Sequence, residues 1–145
     1  MPTPVLSPAA PLAVLAFDYG TRRVGVAGGN TITRSATPLA AIATEGDARF
    51  AAIARLIADW QPGALVVGVP RHPDGAAHDN TRRAERFARQ LRGRFGLTVH
   101  EVDERYSTTE ARTLLGGGAA AGPAWRDIDA ASAAVILEQF LGRFP

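Results

Sequence analysis

Three acidic residues fall where the pattern of the chain changes. Asp18 ends one apolar run, Glu104 follows another, and Asp129 stands at the start of a terminal helical pattern. Each has an ordinary structural explanation by itself. Asp18, in Asp-Tyr-Gly, suits a turn; Glu104 suits a surface pair with Arg105; Asp127 and Asp129 both suit a helix N-cap. Taken together they suit chemistry. Carboxylate oxygens are hard ligands that hold magnesium or manganese while leaving positions open to water and phosphate. Phosphodiester hydrolysis needs an activated water, a stabilised leaving oxygen and neutralised phosphate charge. Two divalent ions about 4 Å apart supply all three. A lone acid offers neither the affinity nor the clamp.

The basic residues point to the same kind of partner. Sixteen basic residues stand against 14 acidic ones, and there is no lysine. Arg82, Arg83, Arg86, Arg89, Arg92 and Arg94 crowd one stretch, the electrostatic footprint of a polyanion-binding surface. Thr21, Arg22 and Arg23 adjoin Asp18 and are candidates to touch a phosphate; the alternative is a solvated turn. Arg71 follows an apolar run and is a candidate bidentate phosphate ligand. Arg105 either contacts nucleic acid or orients Glu104. The stripe Arg82, Arg86 and Arg89 either tracks nucleic acid or is a solvated helix face. Tyr106 and Trp125 are candidates for base stacking or for core packing.

These residues need a scaffold that brings distant positions together. Leu12–Phe17 reads as a buried strand, and Arg23–Ala27 alternates as its antiparallel partner across a tight turn. A third strand is expected within Ser35–Ile42; Pro38 places it near an edge or makes it begin after the proline. A helix capped by Thr44 or Asp47 carries Phe50, Ile53, Ala54, Ile57 and Trp60 at helical spacing and stops at Gln61-Pro62-Gly63. Ala64–Val69 is a strand buried on both faces. A second helix runs from about His78 to Phe95, with Ala84, Phe87, Ala88, Leu91 and Phe95 inward. Leu97–Val102 returns as a strand. A helix over roughly Ser107–Leu115, a glycine-rich linker over Gly116–Pro123 and a last helix from Asp127 or Asp129 follow. The result is an α/β fold, a mixed five-stranded sheet with helices. With parallel strands beside a central first strand, the strand carboxyl ends share one edge, where open sheets place their sites.

Composition narrows the classes. A chain of 145 residues with 46% hydrophobic content is expected to form one globular domain, residues 12–145, behind a flexible proline-rich tail, residues 1–11. The absence of cysteine excludes disulfides and thiolate metal sites and suits the cytoplasm. Three scattered histidines do not suggest zinc. No apolar run is long enough for a membrane span.

Four blocks then carry a resemblance. Leu15-Ala-Phe-Asp-Tyr-Gly-Thr-Arg-Arg-Val-Gly-Val-Ala resembles the opening motif of the YqgF/RuvX family of RNase H-like nucleases, and Val67-Gly-Val-Pro with Asp74-Gly75 resembles its central loop. Asp103-Glu-Arg-Tyr-Ser-Thr-Thr-Glu-Ala resembles its third block, and Ile128-Asp-Ala-Ala-Ser-Ala with Ile136-Leu-Glu its closing helix. The resemblance implies an RNase H-like fold with helices on both sheet faces. It also implies that Asp18, Glu104 and Asp129 are the catalytic acids and ligands of Mg²⁺ or Mn²⁺. The implied activity is maturation of the 5′ end of 16S ribosomal RNA or resolution of Holliday junctions. The implied partners are pre-rRNA or branched DNA, with ribosomal particles also in view, and the chain acts as a monomer or homodimer. Gly28-Gly29-Asn30 departs from the more polar segment that many members carry there. A non-catalytic nucleic-acid-binding module is the alternative of another class. Asp18-Tyr-Gly-Thr also resembles the first phosphate motif of actin-like ATPases, but those need two domains, more than 145 residues supply.

Overall fold

A computed structural model describes residues 12–20, 22–70, 79–103 and 125–142, the last stretch with side chains from residue 128. Five strands form one sheet: β1 (Ala13–Tyr19), β2 (Val24–Asn30), β3 (Ala36–Ile42), β4 (Ala64–Val69) and β5 (Thr98–Asp103). Their order is β3-β2-β1-β4-β5. β2 is antiparallel to β1 and β3, whereas β1, β4 and β5 run parallel. Helices α1 (Gly46–Trp60) and α2 (Asp79–Phe95) cover one face, and α3 (Trp125–Leu141) crosses β1, β2 and β3 on the other. Among the described residues, no helix is long and apolar enough to cross a membrane.

Strand alternation divides the core. Leu15, Phe17, Leu65, Val67 and Val99 face α1 and α2, packed with Phe50, Ile53, Phe87, Ala88 and Leu91. Val14, Ala16, Val66 and Val102 face α3 and meet Ala133, Ile136, Leu137 and Phe140. β4 is buried on both faces, as its uninterrupted apolar run requires. The aromatic centre of the first layer is Phe87, edge-on to Phe17 at 6.0 Å and 5.1 Å from the Tyr19 ring. Thr81, fully buried, donates to the Pro70 carbonyl and ties the start of α2 to the end of β4.

Several boundaries differ from the sequence expectation, each for a local reason. β2 runs on through Gly28 and Gly29 to Asn30, because bare backbone is what fits there. A side chain at position 28 would strike the Trp60 ring, and one at 29 the Ser35 carbonyl. Asn30 then closes the turn, its Oδ1 accepting from the Ile32 and Thr33 amides at 2.9 Å. β3 passes through Pro38, which the edge position tolerates. Neither Thr44 nor Asp47 caps α1. Glu45 is the N-cap without a side-chain bond, and the Thr44 carbonyl accepts from Arg49 Nε instead. α3 begins at Trp125, so Asp129 lies inside the helix rather than capping it. The expected tail 1–11, the helix over 107–115 and the linker over 116–123 lie outside the described residues.

Candidate active site

The site is built where β1 ends. Val14 and Ala16 face α3, so the period of two turns Asp18 toward α3 as well. Its neighbours in register are Gly25 on β2 and Gly68 on β4. Asp18 therefore projects between two positions that carry no side chain. On the β2 side this bareness does structural work, for a Cβ at residue 25 would drive into the backbone of Asp129 and Ala130. α3 thus settles its early turns directly on the β2 backbone, and that contact sets how close Asp129 comes to the end of β1.

Asp129 is held by a charge-assisted bond across the site. Arg23 Nε donates to Asp129 Oδ2 at 2.6 Å, joining residues 106 positions apart. The Asp129 side chain is only 18% exposed and that of Arg23 42%. Asp18, Tyr19, Gly20, Arg22, Arg23 and Asp129 line one open cleft of about 260 Å³. Two carboxylates and two guanidiniums lining one cleft fit a divalent cation and an anionic ester together. Asp18 and Asp129 are the described residues able to hold such an ion, and hard oxygen donors fit magnesium or manganese. Among the described residues, no group of three His, Cys, Asp or Glu side chains comes together.

The structure thus joins Asp18, Asp129, Arg22 and Arg23. It does not add Arg82, Arg86 and Arg89 to that cleft. All three are exposed on α2, on the opposite face of the sheet from α3; Arg82 lies 3.5 Å from Asp79, and Arg86 lines a separate hollow. Glu104, Arg71, Arg105, Thr21 and Tyr106, together with the side chain of Trp125, lie outside the described residues. β5 nevertheless shows a parity. His100 stacks on Phe140 at 4.9 Å and Val102 joins the same layer, so even-numbered β5 positions face α3. Sequence reasoning missed Gly25, whose signal was available: a glycine inside an alternating strand marks a close backbone approach.

Residues 12–143 match a family model described as RuvX: Holliday junction resolvase. The chain belongs to the RuvX family. Among similar proteins of this family is one from Polaromonas sp., named "Putative pre-16S rRNA nuclease", which is 65% identical over 90% of this chain and 88% of its own. A protein of the same name from Albidiferax ferrireducens is 55% identical over 97% of this chain and 94% of its own. In architecture this RuvX-family chain is similar to Thermus thermophilus RuvC in complex with Holliday junction substrate. The TM-score is 0.56, with 16% identity over 91% of this chain and 95% of RuvC. It is also similar to the yeast mitochondrial Holliday junction resolvase Ydc2, with a TM-score of 0.57 and 11% identity over 96% of this chain and 82% of the other. At such identities the likeness establishes the fold, which is RNase H-like.

Proposed function

We propose that this RuvX-family chain is a divalent-metal-dependent nuclease that hydrolyses phosphodiester bonds during 5′-end processing of pre-16S rRNA. One observation carries the reading: β1 and α3 bring Asp18 and Asp129 into a single open cleft that Arg22 and Arg23 also line. The names of the 65% and 55% identical relatives support the substrate. Glu104 completes the carboxylate set in this reading. It follows Asp103, the last residue of β5, and the positions two and four before it face α3.

Asp18, Asp129 and Glu104 would hold magnesium or manganese, which when bound supplies an activated water and neutralises phosphate charge. Arg23 keeps the Asp129 carboxylate turned into the cleft, and Arg22, exposed beside it, is placed to meet a phosphate oxygen. The open shape suits a polymer better than a small molecule, since a small ligand is usually enclosed. The absence of cysteine supports the cytoplasm as its compartment.

A second reading keeps the mechanism and changes the substrate to a four-way DNA junction. The family description and the fold shared with RuvC favour it. The test sets the purified protein against a labelled pre-rRNA 5′ leader, single-stranded RNA and DNA, duplex DNA and a four-way junction, each with Mg²⁺, Mn²⁺ or chelator. Metal-dependent cutting of the leader in preference to the junction is expected. The reverse preference transfers the assignment to junction resolution. Binding without cutting on every substrate overturns the enzyme reading in favour of a non-catalytic binding module.

A further inference from the structure

The face of the sheet opposite the carboxylates carries a second basic hollow. It has a volume of about 340 Å³ and lies between the start of α1 and the middle of α2. Arg49, Arg83 and Arg86 line it, with the rings of Tyr19, Phe50 and Phe87. Arg49 is preset: the residue is 5% exposed, its Nε is bonded to the Thr44 carbonyl, and its guanidinium lies 5.7 Å over the Tyr19 ring. Arg83 reaches the Asn80 amide at 3.3 Å, and Arg86 pairs with no carboxylate among the described residues. Elsewhere on α2, Arg82 pairs with Asp79, Arg92 with Glu101 and Arg94 with Asp47, while Arg89 is exposed and does not line the hollow. Among the described residues lining the hollow, Glu45 is the single acid, against three guanidiniums.

Tyr19 belongs to both hollows. It is the residue after Asp18, and alternation sends it to the α1/α2 side while Asp18 faces α3. The two clefts therefore meet over the end of β1. A free phosphate would occupy one of them. A continuous strand, with a charge at each nucleotide, would occupy both.

We propose that the Arg49–Arg83–Arg86 hollow is a phosphate subsite for single-stranded nucleic acid, gripping the sugar-phosphate backbone a short distance from the bond at Asp18 and Asp129. Guanidiniums recognise phosphate oxygens in a planar, bidentate way, and the half-buried Tyr19 ring is the aromatic surface there that a sugar or base can meet. The inference rests on the nuclease reading for its purpose but not for its measurement.

The test is equilibrium binding of fluorescein-labelled single-stranded RNA to the full chain in chelator, where nothing is cut, across a range of salt. The variant is Arg83→Gln/Arg86→Gln, at two exposed positions. Each phosphate contact on a single strand contributes about 0.7 to the slope of log K against log salt. The double variant should therefore lower the slope by about 1.4 for a 12-mer and weaken its binding roughly tenfold near 0.1 M salt, while a dinucleotide loses little. Arg82→Gln/Arg89→Gln, with the same charge change on the same helix, should do distinctly less. Equal losses in both double variants, or a wild-type slope in the first, overturn the subsite. Inorganic phosphate or a mononucleotide that binds at the hollow when the 12-mer does not would make it a small-anion site and also overturn the proposal. A failure of the nuclease reading shows separately, as absent cleavage by a wild-type chain that binds RNA normally.

Discussion

Replacing Gly25 by alanine tests whether backbone contact between β2 and α3 sets the catalytic geometry. A Cβ at this position would overlap the Asp129 carbonyl oxygen by about 1 Å relative to an acceptable contact near 3 Å, and would press on the Ala130 amide nitrogen at 3.2 Å. The neighbour is backbone, so no side-chain rotation relieves the clash. Either the early turns of α3 lift from the sheet or β2 flexes at its irregularity between Val26 and Ala27. Lifting α3 carries Asp129 away from Asp18 by about 1 Å, and flexing β2 displaces Arg23, the residue before its first position, from the Asp129 carboxylate. Displacements of that size lower turnover by about 100-fold, and overpacking of this kind costs about 1–3 kcal/mol. For a domain of this length, that stability loss corresponds to a fall in Tm of roughly 2–10 °C. The assay is the initial rate of metal-dependent cleavage at saturating RNA, with a thermal melt beside it. Gly93→Ala is the control: nothing lies within 4 Å of its Cβ, on an exposed position of α2, so it should stabilise by about 0.5–1 kcal/mol and leave the rate alone. A Gly25→Ala protein that melts cooperatively and cuts within twofold of wild type refutes the claim that this contact positions Asp129.

Asp18→Asn should abolish cleavage on every substrate while RNA binding in chelator persists; a wild-type rate removes Asp18 from the catalytic set. Arg23→Ala should lower turnover by roughly tenfold or more, because Asp129 loses the group that orients it. Arg23→Lys should recover only part of that, since an ammonium lacks the planar fork, and equal rates in all three proteins dismiss the positioning role. Phe87→Ala, at a residue 1% exposed and in contact with Phe17, Tyr19 and Phe50, should destabilise by about 3–5 kcal/mol in a urea titration. A loss below about 1 kcal/mol would mean that α2 is not anchored through this ring.

The sheet was legible because its strands carry undiluted patterns. Leu12–Phe17 and Ala64–Val69 are apolar throughout and became neighbouring parallel strands buried on both faces; Pro38 placed β3 at the edge. Asp18 and Asp129 were legible as a pair only through strand direction and the resemblance, since nothing in their spacing measures distance. What escaped were features that depend on contacts between distant segments. The second strand was expected to stop at Ala27, yet β2 continues through Gly28 and Gly29, where Trp60 and Ser35 occupy the room side chains would need. Asp129 passed for a cap because acids favour helix starts, whereas α3 began earlier. The arginines of α2 looked like one stripe from helical spacing. Among the described residues, Arg82, Arg92 and Arg94 are instead paired with Asp79, Glu101 and Asp47, Arg83 and Arg86 line a hollow, and Arg89 does neither.

The bond from Arg23 to Asp129 has a consequence for how folding and chemistry are coupled. Two carboxylates turned into one cleft repel each other, and many metal sites depend on the ion itself to quench that repulsion, so the apoprotein unravels. Here the chain brings its own counter-ion, fastened to β1's hairpin partner rather than borrowed from solvent. The carboxylates can be assembled before any metal arrives, and an incoming ion competes with a guanidinium instead of organising a disordered site. If the proposed function holds, chelation should silence the protein without melting it, and activity should return with the metal.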